Sequence, residues 1–123
     1  MNGIRRLLRA EAAVVALVAA VLAWRLGPPW WLFVLALAAP DLALAGHALG
    51  QRRAAILYNA AHTYLGPALV GGAWLATGSD ALAAIALAWV LHIGIDRALG
   101  FGLKDPADIG MTHLGPTGRR RDG

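Results

Sequence analysis

Histidine and aspartate side chains recur at helical spacing along this sequence. His92 and Asp96 are four residues apart, as are Tyr58 and His62, so each pair shares one face if its segment is helical. Asp41 is a further carboxylate, placed directly after a proline. Imidazole and carboxylate groups bind divalent transition metals, and a metal site with an open position activates water as a nucleophile. The spacing therefore points to a metal-dependent reaction.

The predicted catalytic residues are His62, His92, Asp96 and Asp41. We expect His62, His92 and Asp96 to bind a divalent ion (zinc, manganese or iron), with Asp41 or a folded-back His113 completing the shell. Cysteine is absent, which excludes thiolate ligands and cysteine nucleophiles.

The proline before Asp41 adds a backbone group to this prediction. Pro40 lacks an N–H and interrupts the helical bond to the residue four positions earlier, so we expect a kink with a free Ala36 carbonyl. A free carbonyl beside a carboxylate suits a cation or a water molecule.

Four further residues are predicted to contact substrate. Arg97 and Lys104 offer positive charge to an anionic group. Tyr58 and Asn59 lie within one helical turn of His62 and form a polar stripe with it.

These residues lie in four apolar segments, at about 7–25, 30–49, 54–76 and 81–100. With 59% hydrophobic and 15% charged residues, the chain is more apolar than a typical soluble domain. Each segment is long enough to cross a hydrocarbon layer of about 30 Å as a helix. We predict an all-α integral membrane protein, a four-helix up-down bundle over residues 1–104 with a cytoplasmic tail at 105–123. Asp80 is the expected cap of the fourth helix.

Basic residues predict the orientation in the membrane. With the N-terminus inside, only Arg25 lies outside, and nine basic residues are cytoplasmic: Arg5, Arg6, Arg9, Arg52, Arg53, Lys104, Arg119, Arg120 and Arg121. We therefore expect a multi-pass protein of the bacterial inner membrane with both termini cytoplasmic. The positive charge is assigned to orientation and to anionic lipid headgroups, and no nucleic-acid partner is expected.

The first segment also has features of a cleavable signal peptide. A basic start precedes a short apolar stretch with small residues at Ala19, Ala20 and Ala23. Three more spans follow, so we expect this segment to be retained as a helix.

Four motifs in this order resemble a known family. The motifs are Ala39-Pro40-Asp41-Leu42, Tyr58-Asn59-Ala60-Ala61-His62-Thr63-Tyr64, His92-Ile93-Gly94-Ile95-Asp96-Arg97 with Gly100-Phe101-Gly102-Leu103-Lys104, and Thr112-His113-Leu114-Gly115. Together they resemble the bacterial membrane-protein family known as domain of unknown function 4260. The resemblance implies a four-helix membrane protein and no particular activity. The positions that match its motifs are Asp41, Asn59, His62, His92, Asp96, Arg97 and His113.

Three functions remain open at this stage. The first is a metal-dependent, hydrolase-like enzyme acting on a lipid-like or small anionic substrate. The second is a non-catalytic membrane subunit or scaffold whose polar layer fixes helix packing. The third is cation or proton transport by a homo-oligomer, which would need polar groups across the full membrane, whereas the outer halves of the segments are apolar.

Overall fold

The computed structural model describes residues 2–42, 50–103, 111–112 and 115–116. Its helices are α1 (Asn2–Leu26), α2 (Trp30–Ala38), α3 (Gln51–His62), α4 (Leu65–Thr77) and α5 (Asp80–Ala98). Two short strands, β1 (Met111–Thr112) and β2 (Gly115–Pro116), form an antiparallel pair. The all-α prediction is confirmed apart from this small ladder. The end of the second predicted segment (43–49), Lys104 and His113 lie outside the described residues.

Helix α5 is central, because α1, α2 and α4 each pack against it. Its buried residues are mostly small, among them Ala84 and Ala88, and side chains this small let neighbouring backbones approach closely. Gly78 ends α4 in the left-handed region, with φ of 69°. The cap of α5 is Ser79, whose hydroxyl accepts from the Leu82 amide at 3.3 Å, so the prediction of an Asp80 cap is wrong.

The contact between α1 and α5 depends on small residues. A Cβ atom placed on Gly94 would lie 2.9 Å from the Ala16 Cβ and 3.0 Å from the Ala12 carbonyl oxygen, leaving no room for any side chain. Arg9, near the start of α1, donates from Nε to the Ala98 carbonyl at the end of α5 (2.8 Å). These contacts show that the two helices run antiparallel.

The third predicted segment contains two helices instead of one. Helix α3 ends at His62, and Thr63 is extended, with φ of −100° and ψ of 150°. Pro67 explains the break, because it has no N–H for the Thr63 carbonyl and its ring would collide with that group in a continuous helix. The break leaves the last carbonyls of α3 without helical partners and therefore available to other side chains.

Two described helices are long and apolar enough to cross a membrane. They are Gly3–Leu26, with a mean hydropathy of 2.0, and Asp80–Ala98, with a mean hydropathy of 1.5. The second predicted segment is helical from Trp30 and tightens to a 3₁₀ turn over residues 39–42.

Candidate metal centre

Four side chains that could bind a metal converge where three segments meet. Asp41 comes from the 3₁₀ turn after α2, His62 from the last position of α3, and His92 and Asp96 from successive turns of α5. One ligand atom from each residue lies within 4.8 Å of all the others. The structure thus brings together all four residues that the sequence predicted as catalytic.

Three of the ligand atoms form a nearly equilateral triangle. The two histidine Nε2 atoms are 3.3 Å apart, and Oδ2 of Asp96 lies 3.4 Å from Nε2 of His62 and 3.2 Å from Nε2 of His92. Tetrahedral zinc with bonds of about 2.0–2.1 Å places neighbouring ligand atoms about 3.3–3.4 Å apart. The triangle therefore has the dimensions of one face of a tetrahedral zinc site.

Asp41 lies to one side of this triangle, nearer to His92 than to His62. Its Oδ1 is 3.2 Å from Nε2 of His92 and 3.7 Å from Nε2 of His62. Its side chain is 60% exposed, against 24% for Asp96 and 4% and 10% for His62 and His92. The cluster is therefore buried on its histidine side and open to small molecules on the side of Asp41.

Both imidazole rings are oriented by backbone carbonyls. Nδ1 of His62 donates to the Tyr58 carbonyl at 2.9 Å, and Nδ1 of His92 donates to the Leu37 carbonyl at 2.6 Å. A carbonyl can only accept, so the proton of each neutral ring is on Nδ1 and the Nε2 lone pair faces the centre. A metal-binding histidine is held by the same kind of bond from its other nitrogen.

The centre of the cluster thus requires positive charge. The Nε2 atoms of the neutral imidazoles and the oxygens of the ionised carboxylates are all hydrogen-bond acceptors. In these forms, none of the four groups brings a hydrogen into the centre. At separations of 3.2–3.7 Å, acceptors repel one another unless a cation or a proton lies between them. A divalent metal ion would satisfy the three groups of the triangle at once and attract the carboxylate of Asp41.

The Leu37 carbonyl was not foreseen from the sequence, which indicated Ala36. In the 3₁₀ turn that follows α2, an amide bonds to the carbonyl three residues back. The residue three positions after Leu37 is Pro40, which has no N–H to give. The proline therefore frees the Leu37 carbonyl, and the only signal in the sequence was the proline itself.

Neighbouring aromatic residues hold His62 in place. The Tyr58 ring stacks on the His62 ring, with centroids 3.9 Å apart and planes 9° apart. Nε1 of Trp89 donates to the Ala61 carbonyl at 2.6 Å, one of the carbonyls freed by the break after α3. This role of Trp89 was not predicted from the sequence, because it depends on the helix break at Pro67.

The predicted substrate-binding residues have structural contacts of their own. Arg97 donates from Nη2 to the His62 carbonyl at 3.3 Å, and its guanidinium carbon lies 4.5 Å from the centre of the Tyr64 ring. Asn59 is half-buried beside Tyr58. Contact of Arg97, Tyr58 and Asn59 with substrate stays a prediction.

The structure describes one acidic residue on α1 and leaves two of the predicted site residues undescribed. Glu11 is exposed on α1 and does not belong to the group of ligands. Lys104 and His113 are among the residues that are not described, and the described part of the chain supplies four ligand atoms without His113.

Fold and site define a helical protein with a candidate metal centre at the junction of three segments. A family model described as "Domain of unknown function (DUF4260)" matches residues 5–117. The chain belongs to this family, as its four motifs predicted. Comparison with curated proteins and with solved structures gave no match. The function of the chain is therefore inferred from the geometry of the site.

Proposed function

We propose that this chain is a membrane-bound, metal-dependent hydrolase whose divalent ion is held by His62, His92 and Asp96, with Asp41 on the open side. The observation that carries the proposal is the triangle of ligand atoms, with edges of 3.2–3.4 Å and both Nε2 lone pairs facing inward. Two histidines and one carboxylate bind either zinc or ferrous iron, and zinc fits best because the edges match a tetrahedral ion.

The reaction follows from the ligands and from the position of Asp41. A divalent ion in such a site lowers the pKa of a bound water and polarises the substrate oxygen. Asp41, the exposed carboxylate, accepts a proton from the water as its oxygen bonds to the carbonyl carbon or phosphorus of the substrate. The bond to the leaving alcohol then breaks, and the alcohol takes the proton from Asp41.

Arg97 is the proposed contact for an anionic part of the substrate. It follows Asp96 directly in the sequence and already touches the last residue of α3 through its donor to the His62 carbonyl. Its Nε atom is buried and, within the described part of the chain, has no hydrogen-bond partner. An anionic substrate group near Asp96 would meet this guanidinium.

A membrane location is part of the same proposal. The lengths and hydropathies of α1 and α5 support it, as do large apolar side chains left exposed on α1 and α4, such as Leu17, Leu69 and Leu75. The contact of Arg9 with Ala98 puts the basic start of α1 beside the end of α5. Under the positive-inside rule, this end of the molecule faces the cytoplasm in the bacterial inner membrane.

The test is metal content, measured by mass spectrometry on protein purified in detergent and reconstituted with zinc, manganese or ferrous iron. We expect about one ion per chain in the wild type and loss of that ion in His62→Ala and Asp96→Ala, which remove corners of the triangle. The matched control is Glu11→Gln, an exposed carboxylate outside the cluster, which should keep the ion. A wild type that takes up none of the three metals would contradict the proposal.

A scaffold role is the second candidate, and one observation favours it. The cluster joins α2, α3 and α5 through direct polar contacts, and Nδ1 of His92 is itself bonded to the Leu37 carbonyl of α2. Polar contacts between membrane helices stabilise packing without any catalysis. In this case the alanine variants would lose thermal stability, and the wild type would bind no metal.

A further inference from the structure

An apolar cavity adjoins the candidate metal centre. It has a volume of about 230 Å³ and lies between α2, the end of α3 and α5. Its lining consists of Ala36, Ala39, Pro40, Ala61, Ile85 and Trp89. The cavity is distinct from the ligand cluster, since none of the four ligand residues lines it.

Its walls are continuous with the residues that build the centre. Ala61 precedes His62, Pro40 precedes Asp41, and Ala36 precedes the residue whose carbonyl orients His92. Trp89 lies one helical turn before His92. A molecule seated in the cavity therefore has one end beside the open side of the cluster.

The lining selects hydrocarbon. Among the side chains that form the walls, the single polar atom is Nε1 of Trp89, and it already donates to the Ala61 carbonyl at 2.6 Å. A polar group placed there would lose its hydrogen bonds to water without replacement. The volume is below the range of about 300–1,000 Å³ typical of pockets that enclose a whole drug-sized ligand. It suits one alkyl chain, with the remainder of the ligand outside.

We propose that this cavity seats the hydrocarbon chain of a single-chain amphiphilic substrate whose hydrolysable polar group lies at the Asp41, His62, His92 and Asp96 cluster. The inference rests on the proposed function for what happens to the polar group. Chain binding itself depends only on the cavity and does not require the metal.

Photo-crosslinking tests chain binding directly. The probe is an n-alkyl phosphonate, which cannot be hydrolysed, with a diazirine at the end of its chain, added to the full-length protein in nanodiscs. We expect labelling of the peptides that contain Ala61 and Ile85 to Trp89, and competition by excess unlabelled alkyl phosphonate. Asp96→Ala, which is expected to lose the metal, should bind the phosphonate more weakly, but the labelled peptides should be the same as in the wild type.

A pair of variants on α2 supplies the control. Ala36→Phe fills the cavity, whereas Ala38→Phe adds the same ring on the exposed side of the same helix. Each methylene of the probe's chain that is buried contributes about fourfold in affinity. A phenyl ring that excludes a few of these methylenes from the cavity should lower labelling by about tenfold or more, in Ala36→Phe but not in Ala38→Phe. Unchanged metal uptake by Ala36→Phe would show that its fold is intact. If Ala36→Phe does not fold, Ala39→Leu at the rim of the cavity replaces it and should also lower labelling.

Three results would overturn the inference. Labelling at the exposed Leu69 and Leu75 of α4 equal to that at the cavity, and unaffected by Ala36→Phe, would mean that the probe samples only bulk lipid. Labelling that excess unlabelled alkyl phosphonate cannot displace would also mean that the probe has no specific site. A protein that binds metal but is not labelled contradicts this inference alone, and one that is labelled but binds no metal contradicts the proposed function.

Discussion

At the scale of single residues, the two histidines differ from ordinary buried polar groups in how their hydrogen bonds are divided. Each Nδ1 is bonded to a carbonyl of the protein, while each Nε2 faces other acceptors at 3.2–3.7 Å. A histidine that served packing alone would gain most by pairing both nitrogens with complementary groups. The division of bonds is what makes a cation the natural partner of the cluster.

Asp41 and Asp96 should respond differently to the same substitution. Asp96→Asn weakens a ligand that lies on the regular triangle, so metal affinity should fall by more than about 100-fold. This loss is larger than the one usually caused by replacing a residue that only orients a ligand. Asp41→Asn should change affinity by less than about tenfold and lower hydrolysis of a chromogenic single-chain ester by about 10²–10⁴ through loss of the proton acceptor. Metal titration and initial rates measure the two effects. Equal loss of metal in both variants would make Asp41 a full ligand.

At the scale of elements, two prolines determine which backbone carbonyls are free. Pro40 frees the Leu37 carbonyl for His92, and Pro67 ends α3 so that Ala61 and His62 present theirs to α5. The helix ends thus serve as parts of the site.

Pro67→Ala tests this role of the helix break. Alanine permits α3 and α4 to join, so that α4 amides compete with Trp89 and Arg97 for the freed carbonyls, and His62 shifts. We expect metal affinity to fall by about 10–100-fold, as for other residues that orient a ligand. Pro28→Ala, in the turn between α1 and α2, is the matched control and should keep wild-type affinity. Wild-type affinity in Pro67→Ala would show that the break does not position His62.

The sequence predicted which side chains cluster better than it predicted the elements that position them. His92 and Asp96 could be paired from spacing alone, because four residues within one helix fix a shared face. That Asp41 and His62 join them depends on contacts between helices, which spacing within a single helix does not predict. Pro67 alone would predict a break in the third segment. The continuous apolar run from 54 to 76 favoured a single helix instead. The use of Leu37 in place of Ala36 depends on a 3₁₀ turn, which apolar periodicity does not distinguish from an α-helix.

At the scale of the whole molecule, the proposed orientation in the membrane places the cluster near the cytoplasmic side. Apart from Arg25 at the end of α1, the arginines of the described helices lie at the start of α1, the start of α3 and the end of α5. The turn between α4 and α5, at Gly78 and Ser79, would face the other side.

Single cysteines test the orientation without any background, since the natural chain has none. A membrane-impermeant maleimide should label Thr77→Cys in cells whose outer membrane has been opened, because this residue precedes the outer turn. Gln51→Cys, at the start of α3, should be labelled only after the inner membrane is permeabilised. The reverse pattern would contradict the orientation, and labelling of both positions before permeabilisation would contradict a membrane-spanning topology.

The ligands of the cluster are distributed along the chain in a way that bears on biogenesis. Asp41 and His62 are synthesised early, but they are two groups from separate segments, too few to retain an ion without the two that α5 brings. A metal ion bound as proposed can therefore be acquired only after α5 has been made and packed. Metal occupancy would then distinguish finished molecules from incomplete ones, and a chain that stalled before α5 would stay unloaded however much metal the cell contained.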